Sequence, residues 1–157
     1  MANPRRTPCV GICSTTYGDL VCRGCKRFAH EIVQWNGYDQ AQQELVWHRL
    51  YEIREAAVLH HLHVVDEAAF AATVENTGID DTLSDAEQRY ELLRKLVVQG
   101  AHLQGSGLAG RGLSAEASPQ GDLPALESEA LHLMRALDGE IYNRSLAYYE
   151  HCFRVPT

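Results

Sequence analysis

The chain has 157 residues, 45% of them hydrophobic, and carries 14 Lys and Arg against 21 Asp and Glu, for a net charge of −7. No apolar stretch approaches the length of a membrane span, and the chain is long enough to build a core without covalent staples. Composition thus argues against both a membrane-spanning protein and a small disulfide scaffold.

Met1 to Pro8 is polar and basic, without the apolar segment of a signal peptide, so a cytoplasmic, reducing setting is expected. Four of the five cysteines follow at once, as Cys9, Cys13, Cys22 and Cys25. They form a C-x3-C and a C-x2-C pair separated by eight residues. Two pairs so spaced can fold back until four sulfurs face one point, as tetrahedral zinc or a cysteine-held iron–sulfur centre requires. Gly24, inside the second pair, permits a positive φ that would turn N–H groups toward the sulfurs. Residues 1–38 are expected to form this knuckle. Two disulfides would be the alternative, but an odd cysteine count in a reducing setting favours metal.

Thr7-Pro8-Cys9-Val10-Gly11-Ile12-Cys13, Val21-Cys22-Arg23-Gly24-Cys25-Lys26-Arg27, and then His30-Glu31-Ile32 with Trp35 carry a family pattern. P-C-x3-C, C-x-G-C-x-R and E-I-x-x-W in this order resemble the bacterial domain-of-unknown-function family numbered 1289, whose members are commonly labelled predicted iron–sulfur proteins. The resemblance spans roughly residues 5–55. It implies a metal centre on Cys9, Cys13, Cys22 and Cys25 and names no reaction. A tetrathiolate zinc needs only four convergent sulfurs, whereas a [4Fe–4S] cluster is bulkier and its frequent C-x2-C-x2-C run is absent. Zinc is therefore the preferred cofactor, with an iron–sulfur cluster or a mononuclear iron as alternatives.

Charge is uneven along the chain. Residues 1–30 hold five basic residues against Asp19 alone, a net of +4, and the remainder carries −11. Arg23, Lys26 and Arg27 flank the second cysteine pair and are candidate contacts for an anionic partner: a nucleic acid or an acidic protein surface. The competing reading is that these cations offset the thiolates.

The rest of the chain reads as helix. Asp39 is an expected N-cap for a run from Ala41 toward Glu75, with Val46, Leu50, Ile53, Ala57 and Leu62 on one side and Gly78 as its end. Ser84-Asp85-Ala86-Glu87 is a capping box opening a second helix to about His102, with Tyr90, Leu93, Leu96 and Val97 on its apolar face. Residues 39–104 form this helical region. Residues 105–123, rich in Gly, Ser and Ala, are expected to be a flexible connection. Residues 124–157 hold a last helix, opening near Pro124 and expected to pack on the helical region. The predicted fold is all-α, an N-terminal four-cysteine knuckle followed by a bundle of about three long helices. Leu20 and Val21 are the one place where a small hairpin is expected.

Other features carry less. Gly105-Ser106-Gly107-Leu108-Ala109-Gly110 spells G-x-G-x-x-G, but it follows a helix instead of a buried strand, so it is not read as a dinucleotide fingerprint. His60 and His63 share a helix face, and Glu129 and His132 have E-x-x-H spacing, which leaves a histidine–carboxylate site as a minor alternative. Trp35 and Trp47 read as packing anchors, and Cys152 as a free structural thiol. Three functions are compatible with these features. The preferred one is a metal-knuckle adaptor binding protein or nucleic acid. An iron–sulfur protein in electron transfer or redox sensing comes second, and a helical enzyme third.

Overall fold

A computed structural model of the protein describes residues 7–111 and 128–153 and is mostly helical. Its helices are α1 (Ala29–Gln34), α2 (Gln40–His61), α3 (Glu67–Thr77), α4 (Asp85–Val98) and α5 (Glu129–Phe153). Strands β1 (Leu62–Val64) and β2 (Leu108–Gly110) pair antiparallel, Leu62 opposite Gly110 and Val64 opposite Leu108. None of these helices is long and apolar enough to cross a membrane.

The caps act where the sequence marks them. Asp39 Oδ1 accepts from the Gln42 N–H at 2.8 Å, and the Gln42 side chain accepts from the Asp39 N–H at 3.0 Å, which satisfies two donors at the head of α2. Ser84 and Glu87 form the same reciprocal box on α4. Gly78 ends α3 in the left-handed region at φ +68.

One expectation changes. The single helix predicted from Ala41 toward Glu75 is two helices separated by β1. Asp66 supplies a second N-cap, its carboxylate accepting from the Ala69 N–H at 3.0 Å. Leu62 to Val64 meanwhile exchange helical hydrogen bonds for a ladder to β2. The ladder is extended by Arg111 N–H to the His61 carbonyl and Val65 N–H to the Gly107 carbonyl, both 2.8 Å. The described residues are therefore helical with a two-stranded sheet, and four of the helices among them exceed ten residues.

The same ladder orders the start of the segment expected to be a flexible connection. Ser106 and Leu108 are buried. Gly107, at φ +79, lies where a Cβ would collide with the Asp66 carbonyl and the Phe70 amide, so only glycine lets this turn approach α3. Residues 112–123, and the expected helix start at Pro124, lie outside the described residues.

The chain divides into two units, one of Met1–Arg54 with Ile141–Thr157 and one of Glu55–Glu140. In the first, Phe28 is almost fully buried, and its ring meets Tyr149 at 5.0 Å and Phe153 at 5.7 Å, both edge-on. Val21, Trp35, Val46 and Ile141 are buried in the same unit. In the second, Leu62, Leu92, Leu93 and Leu137 have no exposed surface, each burial contributing about 1.5–3 kcal/mol.

Candidate metal centre

The four N-terminal cysteines belong to the first unit and lie on two loops that touch. The second cysteine pair lies on a closed turn, with Lys26 N–H donating to the Cys22 carbonyl and Cys22 N–H to the Arg27 carbonyl, each at 2.9 Å. Val21 and Phe28 bridge antiparallel just outside it, which is the small hairpin that Leu20 and Val21 suggest. Closing so tight a turn forces one residue into the left-handed region. That residue is Lys26, at φ +66, and not Gly24 as its type suggests.

Gly24 serves close approach instead. A Cβ there would stand 2.5 Å from the Ile12 carbonyl oxygen and 2.9 Å from Val10 Cγ2. The Cys9–Cys13 loop thus lies directly against the Cys22–Cys25 turn. Two further bonds join them: Arg23 N–H to Ser14 Oγ at 2.8 Å, and the Cys22 thiol to the Ile12 carbonyl at 3.3 Å.

All four knuckle cysteines are free thiols, with Cys22 and Cys25 buried, Cys13 half-buried and Cys9 exposed. Their environments differ. Burial pushes the Cys22 thiol up, but hydrogen bonds from the backbone of Cys25, Ser14 and Gly24, and from the Cys25 side chain, together outweigh it and bring the group down to about 7. Hydrogen bonds from the Thr15 and Thr16 side chains lower Cys13 as well. Burial raises Cys25, against the opposing pull of Arg27. The charge of Cys22 acts on both Cys13 and Cys25, opposing their ionisation. Among the described residues, though, no three His, Cys, Asp or Glu side chains are gathered as ligands of one ion. Four soft donors on two touching loops, with backbone N–H groups aimed at one of the sulfurs, fit a thiolate-held metal in chemistry and chain path.

The three basic residues split. Arg23 is exposed, pairs with Asp19 at 3.3 Å and lies over the Tyr142 ring at 4.5 Å. Lys26 and Arg27 are buried, 6% and 4% exposed. The Lys26 ammonium donates to the Arg23 and Gly24 carbonyls inside the knuckle, and Arg27 Nε donates to Cys25 Sγ at 3.4 Å. The Lys26 ammonium thus turns back onto its own turn, and the Arg27 guanidinium lies beside the Cys25 thiol. The flanking position alone does not separate these placements, because long basic side chains bury their stems readily and read as surface in a sequence.

Glu31 is the residue that reading by motif leaves without a role. It is buried, accepts from the Phe28 N–H at 2.8 Å, and forms a two-pronged pair with Arg49 at 2.6 and 2.7 Å. The Arg49 guanidinium also lies 3.9 Å over the Phe28 ring. The pair binds α1 to α2 beneath the knuckle.

The histidine alternative gains little from the geometry. His60 is exposed, and the His63 ring nitrogen lies 3.0 Å from the His60 carbonyl. His61 is buried between the Arg111 carbonyl at 3.0 Å and Glu140 at 3.5 Å.

Residues 7–54 match the model of a family described as "Protein of unknown function (DUF1289)". The match takes in about a third of the chain, including all four knuckle cysteines, Glu31, Trp35 and Arg49. No curated protein and no solved structure matches the chain.

Proposed function

We propose that Cys9, Cys13, Cys22 and Cys25 bind one zinc ion, and that the closed knuckle is a protein-binding adaptor on a helical scaffold. The observation carrying this reading is the contact between the two cysteine loops at Gly24. Loops within van der Waals reach of each other suit a single ion, whereas a multi-iron cluster would need them farther apart. Zinc binding then draws the exposed Cys9 and half-buried Cys13 onto the buried pair, so that closure of the segment and binding are one event. The ion would supply a fixed coordination point for the four thiolates.

A protein partner is favoured over a nucleic acid. The head groups of Lys26 and Arg27 are engaged inside the knuckle, while Val10, Ile12, Tyr17 and Leu20 stand more than half exposed on the same segment. Apolar side chains held on a metal-fixed turn present contact area at low entropic cost. Elemental analysis of protein purified without oxygen tests the ion. A colourless protein with a single zinc per chain is expected. Brown protein containing iron and sulfide would replace the adaptor reading with an electron-transfer one, and protein without either metal would defeat both.

A further inference from the structure

Arg27 carries a permanent positive charge, yet it is 4% exposed. A buried cation is destabilising unless a negative or electron-rich group answers it. Among the described residues no carboxylate does. Among the described residues, the Arg27 side chain donates Nε–H to Cys25 Sγ at 3.4 Å and lays its guanidinium over the Trp35 ring at 4.8 Å. Trp35 is itself buried, so the ring is a fixed platform that holds the guanidinium against the sulfur. Among the described residues, the Cys25 sulfur is thus the polar side-chain group that the buried guanidinium faces.

We infer that Arg27 is a positioning residue of the metal centre, donating a charge-assisted hydrogen bond to the metal-bound Cys25 sulfur, with Trp35 as its support. The inference rests on the four-cysteine reading and deepens it. Four thiolates around a divalent ion leave a net charge of −2, and Arg27 offsets one unit of it inside the knuckle. A hydrogen bond to a coordinated thiolate withdraws electron density from the sulfur and fixes its direction. Arg27 thus governs both how tightly the ion is held and how strongly Cys25 donates to it.

The test uses the full chain loaded with cobalt(II), whose sulfur-to-metal charge-transfer bands report on the thiolates, and zinc competition against a chromophoric chelator. Arg27→Gln is expected to weaken zinc binding by about 10–100-fold and to shift the charge-transfer band to longer wavelength, because the sulfur becomes a stronger donor. Arg27→Lys, which keeps the charge and loses the planar fork, is expected to lie between. Arg23→Gln, the same charge removed at the exposed neighbour, is expected to match wild type. Weakening without a band shift would show that Arg27 only props the fold, and wild-type affinity and spectrum in Arg27→Gln would show that it does not act on the centre. Either result overturns the inference while leaving the metal site standing. Should Arg27→Gln lose its helical signal, Arg27→Lys is read by the same criteria. A wild type that takes up no metal would defeat the site itself, and the role of Arg27 with it.

Discussion

Serine at Cys9, Cys13, Cys22 or Cys25 is expected to strip the protein of stoichiometric metal and to loosen residues 7–28, whereas Cys152→Ser is expected to change neither. The magnitude follows from what holds the segment. Its buried apolar side chains include Val21, Phe28 and the cysteines Cys22 and Cys25, while Val10, Ile12, Tyr17 and Leu20 face solvent. Structural zinc supplies on the order of 10 kcal/mol to such segments. The second unit should keep its helical signal, because Leu62, Leu92, Leu93 and Leu137 pack without any sulfur. Metal content and circular dichroism on the same samples check this. Full occupancy in all four single variants would contradict a shared ion.

Glu31→Ala is expected to destabilise the first unit by about 3–5 kcal/mol, the typical cost of leaving one partner of a buried ion pair unanswered. The Glu31 side chain is 5% exposed and that of Arg49 14%, so solvent screens the pair little. Removing Glu31 also takes the acceptor from the Phe28 N–H at the head of α1. The double variant Glu31→Ala with Arg49→Ala should recover part of the loss, since no buried charge is then stranded. Urea denaturation of the metal-loaded protein gives both values. A Glu31→Ala loss below about 1 kcal/mol would place the pair in the class of solvent-screened surface bridges.

Local signals were the legible ones. Asp39, Gly78 and the Ser84–Glu87 box each declare a helix end through chemistry confined to a few neighbouring residues, and all three stand where the sequence puts them. The family pattern was legible for a similar reason, since its residues fall within one short stretch. What escaped depends on distant partners. Leu62–Val64 shows no strand signature of its own, being three residues long, and becomes β1 only because Leu108–Gly110 arrives to pair with it. That pairing interrupts what otherwise reads as one long helix, and it gives structure to glycines that look like linker. Glu31 and Arg49 are likewise separated in sequence, and neither one marks the other.

The knuckle shows the same division at closer range. The pairing of the cysteines is plain from spacing. Which side chains surround the sulfurs is not, because Lys26 and Arg27 are of a type that ordinarily faces water. Their burial follows from the turn. The Val21–Phe28 bridge and the Cys22–Arg27 bond fix the register, and Trp35 supplies the surface on which Arg27 lies. Of the three basic residues that the composition counts alike, Lys26 and Arg27 are buried and Arg23 is exposed.

The most direct test of the central claim is a cobalt(II) titration of the reduced, metal-free chain, followed by ligand-field and charge-transfer absorption. The account predicts saturation at a single ion per chain, with the intense bands of tetrahedral four-thiolate coordination, displacement by zinc, and reduced intensity in Cys9→Ser, where one thiolate is missing. Weak octahedral absorption without a saturation point, or a Cys9→Ser spectrum identical to wild type, would contradict it.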